Sequence, residues 1–149
     1  MIKTEESLLR VMCVDDNRDA ADTLGILLEL VGFEPLVCYD AASALRAADD
    51  FRPDAAILDL TMPGMDGVEL GIRLRARPWA RTIPLVALTA LGGDEARERT
   101  AHAGFDLHLT KPVDPDRLAN VLADIVILKS DSWAGEAKLP AGLDLGGAD

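Results

Sequence analysis

Short apolar runs return along this chain at regular intervals, and between them apolar residues recur every third or fourth position. LLRVMCV at 8–14 has the unbroken apolar character of a buried strand. Residues 18–31 then place Ala20, Ala21, Leu24, Leu27, Leu28 and Val31 on one helical face. Asn17 is positioned to cap that helix and Gly32 to end it. FEPLVCY at 33–39 reads as a second strand, and Pro35, which has no N–H to give a ladder, predicts a sheet edge. Asp40 predicts the cap of a helix to about residue 49, and DAAIL at 54–58 the third strand. Asp66 and Glu69 have capping-box spacing for a helix to about Arg77.

IPLVAL at 83–88 gives a fourth strand, 94–103 a polar helix and FDLHLT at 105–110 a fifth strand. Asp114 and Pro115 open a last helix, since a proline at the first helical position loses no hydrogen bond. Its apolar face is Leu118, Val121, Leu122, Ile125 and Val126. Strict alternation of strand and helix predicts an α/β fold, a five-stranded parallel sheet with helices on both faces. Residues 8–128 make one domain. Residues 129–149, rich in Gly, Asp and Ala, read as a loosely ordered C-terminal tail, with Trp133, Leu139, Leu143 and Leu145 as the side chains that could dock.

Charge removes some functions. A net charge of −11 with no basic block argues against a nucleic-acid partner, because phosphates would be repelled. No stretch has the apolar length of a signal peptide or a membrane span, so no membrane association and a cytoplasmic location are expected. Cys13 and Cys38 each lie in a strand-like run and read as reduced core residues.

The placement of polar residues is more informative. Asp15 and Asp16 follow the first strand, Asp59 the third, Thr89 the fourth and Lys111 the fifth. All would meet at the carboxyl edge of one parallel sheet, where open α/β folds bind ligands. Taken singly, each has a plain structural reading: a helix cap, a turn former, a loop lysine. Together they place three carboxylates, a hydroxyl and an ammonium in one region. Three close carboxylates repel unless a cation intervenes, and an all-oxygen set suits magnesium. Magnesium beside a lysine and a hydroxyl forms a phosphoryl-binding set, with one carboxylate left as nucleophile.

The segments VDDN (14–17), LDLTMPGMDG (58–67), LTA (88–90) and KP (111–112) together resemble the receiver domains of bacterial two-component response regulators. FDLHLTKPV (105–113) is similar to the receivers of hybrid sensor histidine kinases. The resemblance covers about residues 8–128 and implies the flavodoxin-like strand order 2-1-3-4-5. It implies phosphorylation of Asp59, a magnesium ion held directly by Asp16 and largely through water by Asp15, and a metal shell completed by Asp59 and the Thr61 carbonyl. It also implies that Lys111 pairs with the phosphoryl group, that Thr89 moves to hydrogen-bond it, and that Lys111-Pro112 is cis.

His108 departs from the family pattern, which has Tyr or Phe three residues before the lysine. It reads as a neutral ring in the aromatic's place; the alternative is a pH-sensitive switch. His102 reads as exposed.

The function expected is a phosphoacceptor module of a two-component phosphorelay, which is not an enzyme but assists its own phosphorylation and dephosphorylation. Its donor would be a sensor histidine kinase or a histidine phosphotransfer protein. A downstream partner would read the 94–128 face, and the 21 residues after the last helix leave no room for an output domain. An aspartyl phosphatase would need a second acid where Thr61 stands. A pseudo-receiver working without phosphorylation is the other alternative, and the intact acids, Thr89 and Lys111 argue against it.

Overall fold

A computed structural model describes residues 8–90 and 94–137 of the chain. Five strands, β1 (Arg10–Val14), β2 (Glu34–Cys38), β3 (Ala55–Asp59), β4 (Leu85–Thr89) and β5 (Leu107–Thr110), form one parallel sheet in the order β2-β1-β3-β4-β5. Between them run α1 (Arg18–Leu30), α2 (Ala41–Phe51), α3 (Gly67–Arg75) and α4 (Asp94–Ala103), and α5 (Pro115–Ala137) follows β5. This is the architecture and strand order expected. Pro35 lies on β2, at the sheet edge, opposite Val11.

Each strand serves two cores, because successive side chains point to opposite faces. Met12, Val14, Ala56, Leu58, Leu85 and Ala87 pack under α2, α3 and α4, with Leu70, Leu74, Ala44 and Phe105. Val11, Cys13, Ile57, Val86, Leu88 and Leu109 pack under α1 and α5, with Leu24, Leu28, Val121 and Ile125. Burial on both sides explains why β1, β3 and β4 read as apolar runs with no alternation. The two cysteines are buried, free and in different cores. Burial pushes both thiols up, which suits an inert core role.

The helix ends follow the sequence closely. Asn17 Oδ1 accepts from Ala20 N at 3.0 Å, and Asp40 Oδ1 from Ser43 N at 2.7 Å. Asp66 caps α3 by accepting from Glu69 N at 3.0 Å, but the capping box is only half made. The Glu69 carboxylate pairs instead with Arg73 one turn on, at 2.8 Å. The chain then makes a 3-10 turn at Pro78–Ala80 that the sequence pattern did not show. The largest departure is α5, which runs to Ala137, so residues 129–137 are helical rather than tail. Polar composition does not by itself end a helix, and no proline stands between Pro115, which opens α5, and Pro140. Leu139, Leu143 and Leu145 lie outside the described residues, as does the side chain of Trp133.

Gly67 marks where the loop after β3 closes on the strand. A Cβ there would stand 2.2 Å from the Asp59 carbonyl oxygen and 2.9 Å from Leu60 Cα. Both obstacles are backbone, so neither can swing away. Gly71, one turn later, would meet the rim of the Phe105 ring at 2.7 Å and Leu85 Cδ1 at an ordinary contact distance of 3.5 Å, both of them side chains. Gly67→Ala is expected to cost about 3 kcal/mol of unfolding free energy and Gly71→Ala about 1 kcal/mol. Urea unfolding of both variants measures the difference.

Candidate functional site

Strand alternation decides which side chains meet at the carboxyl edge. Asp15 continues the series Val11, Cys13; Asp59 the series Ala55, Ile57; and Lys111 the series Leu107, Leu109. All three therefore emerge on the α1/α5 side of the sheet. Thr89 continues Leu85, Ala87 and belongs to the other side. Asp59 and Thr89 are the last residues of β3 and β4, one position earlier relative to the strand ends than the sequence suggests.

Asp15 and Asp59 are buried, whereas Asp16 is exposed at the mouth. A carboxylate oxygen from each of the three lies within 4.8 Å of those of the other two. Lys111 Nζ stands 3.2 Å from Asp15 Oδ2 and 3.2 Å from Asp59 Oδ2. The lysine is placed by its backbone, since Lys111 N donates to the Thr89 carbonyl at 2.8 Å. The Lys111-Pro112 bond that follows is cis. Asn17 N donates to Asp15 Oδ1 at 3.0 Å, and Thr61 N donates to Asp59 Oδ1 at 3.1 Å. Each buried carboxylate thus has one oxygen fixed by a backbone N–H. The other oxygen faces the ammonium, without a well-directed hydrogen bond.

The electrostatics follow from this crowding. Burial, and then the neighbouring Asp15, raise the Asp59 carboxyl to about 6, against the Thr61 N–H and Lys111. Burial disfavours the Lys111 charge, but Asp59 and Asp15 outweigh it and hold the ammonium above its ordinary value. One cation is shared by two buried anions with a third nearby. That set fits a divalent metal: oxygen donors only, two buried oxygens unsatisfied, and charge in excess of what Lys111 neutralises. Beside it a groove of about 580 Å³ opens between the start of α1 and Lys111-Pro112-Val113, lined by Ala20, Thr23 and Leu88.

His108 is half-buried on β5, and its Nε2 lies 2.7 Å from Thr100 Oγ1 on α4. Burial, and then the Arg97 charge, hold the imidazole below its usual value, which favours the neutral ring. His102 is exposed and its Nδ1 meets the Glu98 carbonyl. The sequence reading missed Asn17 as a support of Asp15, Thr100 as the partner of His108, and Arg75. The last joins the end of α3 to the Ile83 and Gly104 carbonyls.

Comparison with known proteins now fits the geometry. The response regulator receiver domain model matches residues 11–123. The chain belongs to the receiver-domain family of two-component response regulators, a family of signalling modules. It is 38% identical over 112 residues to an uncharacterized 14.6 kDa protein of Leptolyngbya boryana, covering 75% of this chain and 86% of that one. It is 39% identical over 117 residues to the transcriptional regulatory protein PrrA of Mycobacterium tuberculosis, covering 78% of this chain but only 46% of PrrA. The chain thus spans about half the length of that relative.

Among solved structures it resembles the Vibrio cholerae chemotaxis protein CheY4 (TM-score 0.77, 27% identity, 79% of this chain and 98% of that one). It also resembles the receiver domain of a sensor histidine kinase from Pseudomonas aeruginosa PAO1, which holds a magnesium ion in its active-site cleft. There the TM-score is 0.73 and the identity 28%, covering 80% of this chain and 98% of that one. No helix among the described residues is long and apolar enough to cross a membrane.

The raised Asp59 carboxyl has a consequence for stability. Its folded value, about 6, exceeds the ordinary 3.8, so the folded state holds the proton more tightly. The stabilisation is complete below about pH 4 and is lost as pH rises through 6. In EDTA, Asp59→Asn is expected to be more stable than the parent at pH 7.5 by about 2 kcal/mol and to show little gain at pH 4. Urea unfolding at the two pH values tests this.

Proposed function

We propose that this chain is the phosphoacceptor of a two-component phosphorelay, taking a phosphoryl group onto Asp59 from the phosphohistidine of a sensor kinase or phosphotransfer protein. The observation that carries this reading is the buried Asp15–Lys111–Asp59 cluster, with two carboxylate oxygens lacking directed hydrogen bonds and Asp16 at its mouth. Asp15, Asp16, Asp59 and the Thr61 carbonyl would hold magnesium. When bound, that ion neutralises the carboxylates and the phosphoryl oxygens together.

The chain's own groups do the rest. An Asp59 oxygen attacks phosphorus in line, the P–N bond of the donor breaks, and its electron pair returns to the imidazole nitrogen. Thr61 N–H orients the Asp59 carboxylate. Lys111, already charged between the carboxylates, turns to the phosphoryl oxygens as their charge grows. The groove between α1 and Val113 gives the donor imidazole access. Thr89 would then hydrogen-bond the phosphoryl group from the opposite side of the sheet, and a partner protein would read the resulting change on the 94–128 face. PrrA is named as a transcriptional regulator, whereas the net charge of −11 on this chain favours a protein as its downstream partner. The same buried cluster speaks against a module that works without phosphorylation, because it strains the fold for no structural gain.

Incubation with acetyl phosphate and magnesium should add one phosphoryl mass to the intact protein. EDTA, or Asp59→Asn, should abolish the addition; full labelling of the Asn variant would exclude Asp59 as the acceptor. A separate measurement tests the metal. Magnesium should raise the melting temperature of the parent by several degrees and that of Asp16→Asn much less, while the metal-free Asp16→Asn protein should melt at or above the parent. Equal magnesium responses would remove Asp16 from the metal shell.

A further inference from the structure

Arg18 opens α1, and its charge has the wrong sign for that place. The first turn of a helix carries partial positive charge, which favours an acid over a cation. Arg18 is also the one cation in a run that holds four aspartates, Asp15, Asp16, Asp19 and Asp22. Its guanidinium pairs with none of them. It lies instead over the ring of Tyr39, with Cζ 4.1 Å from the ring centroid. The Tyr39 hydroxyl donates to Asp22 Oδ1 at 2.5 Å, one turn further along α1. That bond holds the hydroxyl above its ordinary value and so keeps it a donor.

The place of this cluster gives it meaning. Tyr39 directly follows β2, and Asp15 N donates to the Cys38 carbonyl at 3.1 Å. Tyr39 therefore leaves the sheet beside the turn that carries Asp15 and Asp16. Asp16 is exposed, and it lies two residues before Arg18. Two residues span at most about 7.6 Å between Cα atoms, which an arginine side chain can cover. The guanidinium thus has two seats within reach, the aromatic face and the Asp16 carboxylate. A cation over an exposed ring and a surface ion pair carry similar weight, so neither seat wins by default. On Asp16 the guanidinium would neutralise the carboxylate that a metal needs. On Tyr39 it leaves that carboxylate open.

We propose that Tyr39 parks the Arg18 guanidinium away from Asp16, and so keeps the chain's own cation from competing with magnesium at the mouth of the site. Asp22 contributes by fixing the ring under the guanidinium. Tyr39 is thereby a positioning residue, which acts on the metal site through Arg18. The competition rests on the proposed role of Asp16 as a metal ligand; the seat of Arg18 does not.

Titration calorimetry of the full chain with magnesium tests the competition. A freed cation that occupies Asp16 lowers the apparent affinity in proportion to the fraction of sites left open. For an exposed ion pair that is about three- to sixfold. Tyr39→Leu is therefore expected to bind magnesium three- to sixfold more weakly, and Tyr39→Phe, which keeps the aromatic face, within twofold of the parent. Arg18→Lys keeps the charge but gives up the flat guanidinium that stacks on the ring, and should weaken binding at least twofold. Arg18→Ala removes the competitor and should bind at least as tightly as the parent, alone or combined with Tyr39→Leu. The conservative replacement is thus harmful and the truncation harmless, a pattern that a plain staple between α1 and β2 would not give. Both Arg18 variants change an exposed residue and do not depend on the folding of a Tyr39 variant. Unchanged affinity in Tyr39→Leu and Arg18→Lys, or weaker binding by Arg18→Ala, overturns the competition.

The seat of Arg18 is read separately by NMR without magnesium. The ring should shift the Arg18 side-chain protons upfield in the parent and in Tyr39→Phe, and the shift should vanish in Tyr39→Leu. Its absence from the parent overturns the parking itself. Equal magnesium affinity in Asp16→Asn and the parent would remove Asp16 from the metal shell and the competition with it, and the NMR result would still decide where Arg18 sits.

Discussion

A single ammonium group shared between two buried carboxylates is the constraint on which the rest of this molecule depends. Asp15, Asp59 and Lys111 come from the ends of three different strands, and no local stretch of chain could hold them together. Left to themselves the acids would separate or protonate. They stay because β1, β3 and β5 are locked into one sheet, and because backbone N–H groups at Asn17 and Thr61 fix one oxygen of each carboxylate. The sheet carries the electrostatic cost, and the two apolar cores carry the sheet. A less rigid scaffold would relax the cluster and lose the poised charge.

Much of this was legible in the sequence, for physical reasons. Strands buried on both faces leave unbroken apolar runs, and helices between them leave a three-to-four spacing, so the order of elements is written twice. Asn17, Asp40 and Asp66 cap the helices they precede, because short polar side chains outside a helix have few other uses there. The site was legible because it lies at strand ends, where a polar residue interrupts an apolar run. What the sequence did not show depends on distance along the chain or on competition between partners. Glu69 had both a cap and Arg73 within reach and took Arg73. Thr100 and His108 lie eight residues apart on a helix and a strand, and no periodicity relates them. Residues 129–137 read as tail because the segment from 129 is rich in Gly, Asp and Ala, yet Lys129, Ala134, Glu136 and Ala137 are good helix formers and α5 runs on through them.

The same protein is firm in one part and loose in another. Around Asp59 the backbone is pressed so closely by Gly67 that even a methyl group has no room. Around α4 the attachment, among the described residues, is a small buried face, the Thr100–His108 contact and the exposed Arg99–Asp66 pair. Signalling modules draw their moving parts from such weakly held elements, since a part held as tightly as β3 could not respond to a phosphoryl group worth a few kcal/mol.

The two-sided packing of the strands has a wider consequence. Leu88 and Thr89 are adjacent in sequence, yet one borders the groove beside α1 and the other belongs to the α4 face. The sheet is thus a partition one residue thick. Side chains beside the α1 groove and side chains under α4 therefore belong to different cores, although Leu88 and Thr89 are neighbours in the chain. A substitution packed in one core can therefore leave the other core intact, and the two faces of so small a domain are free to vary separately.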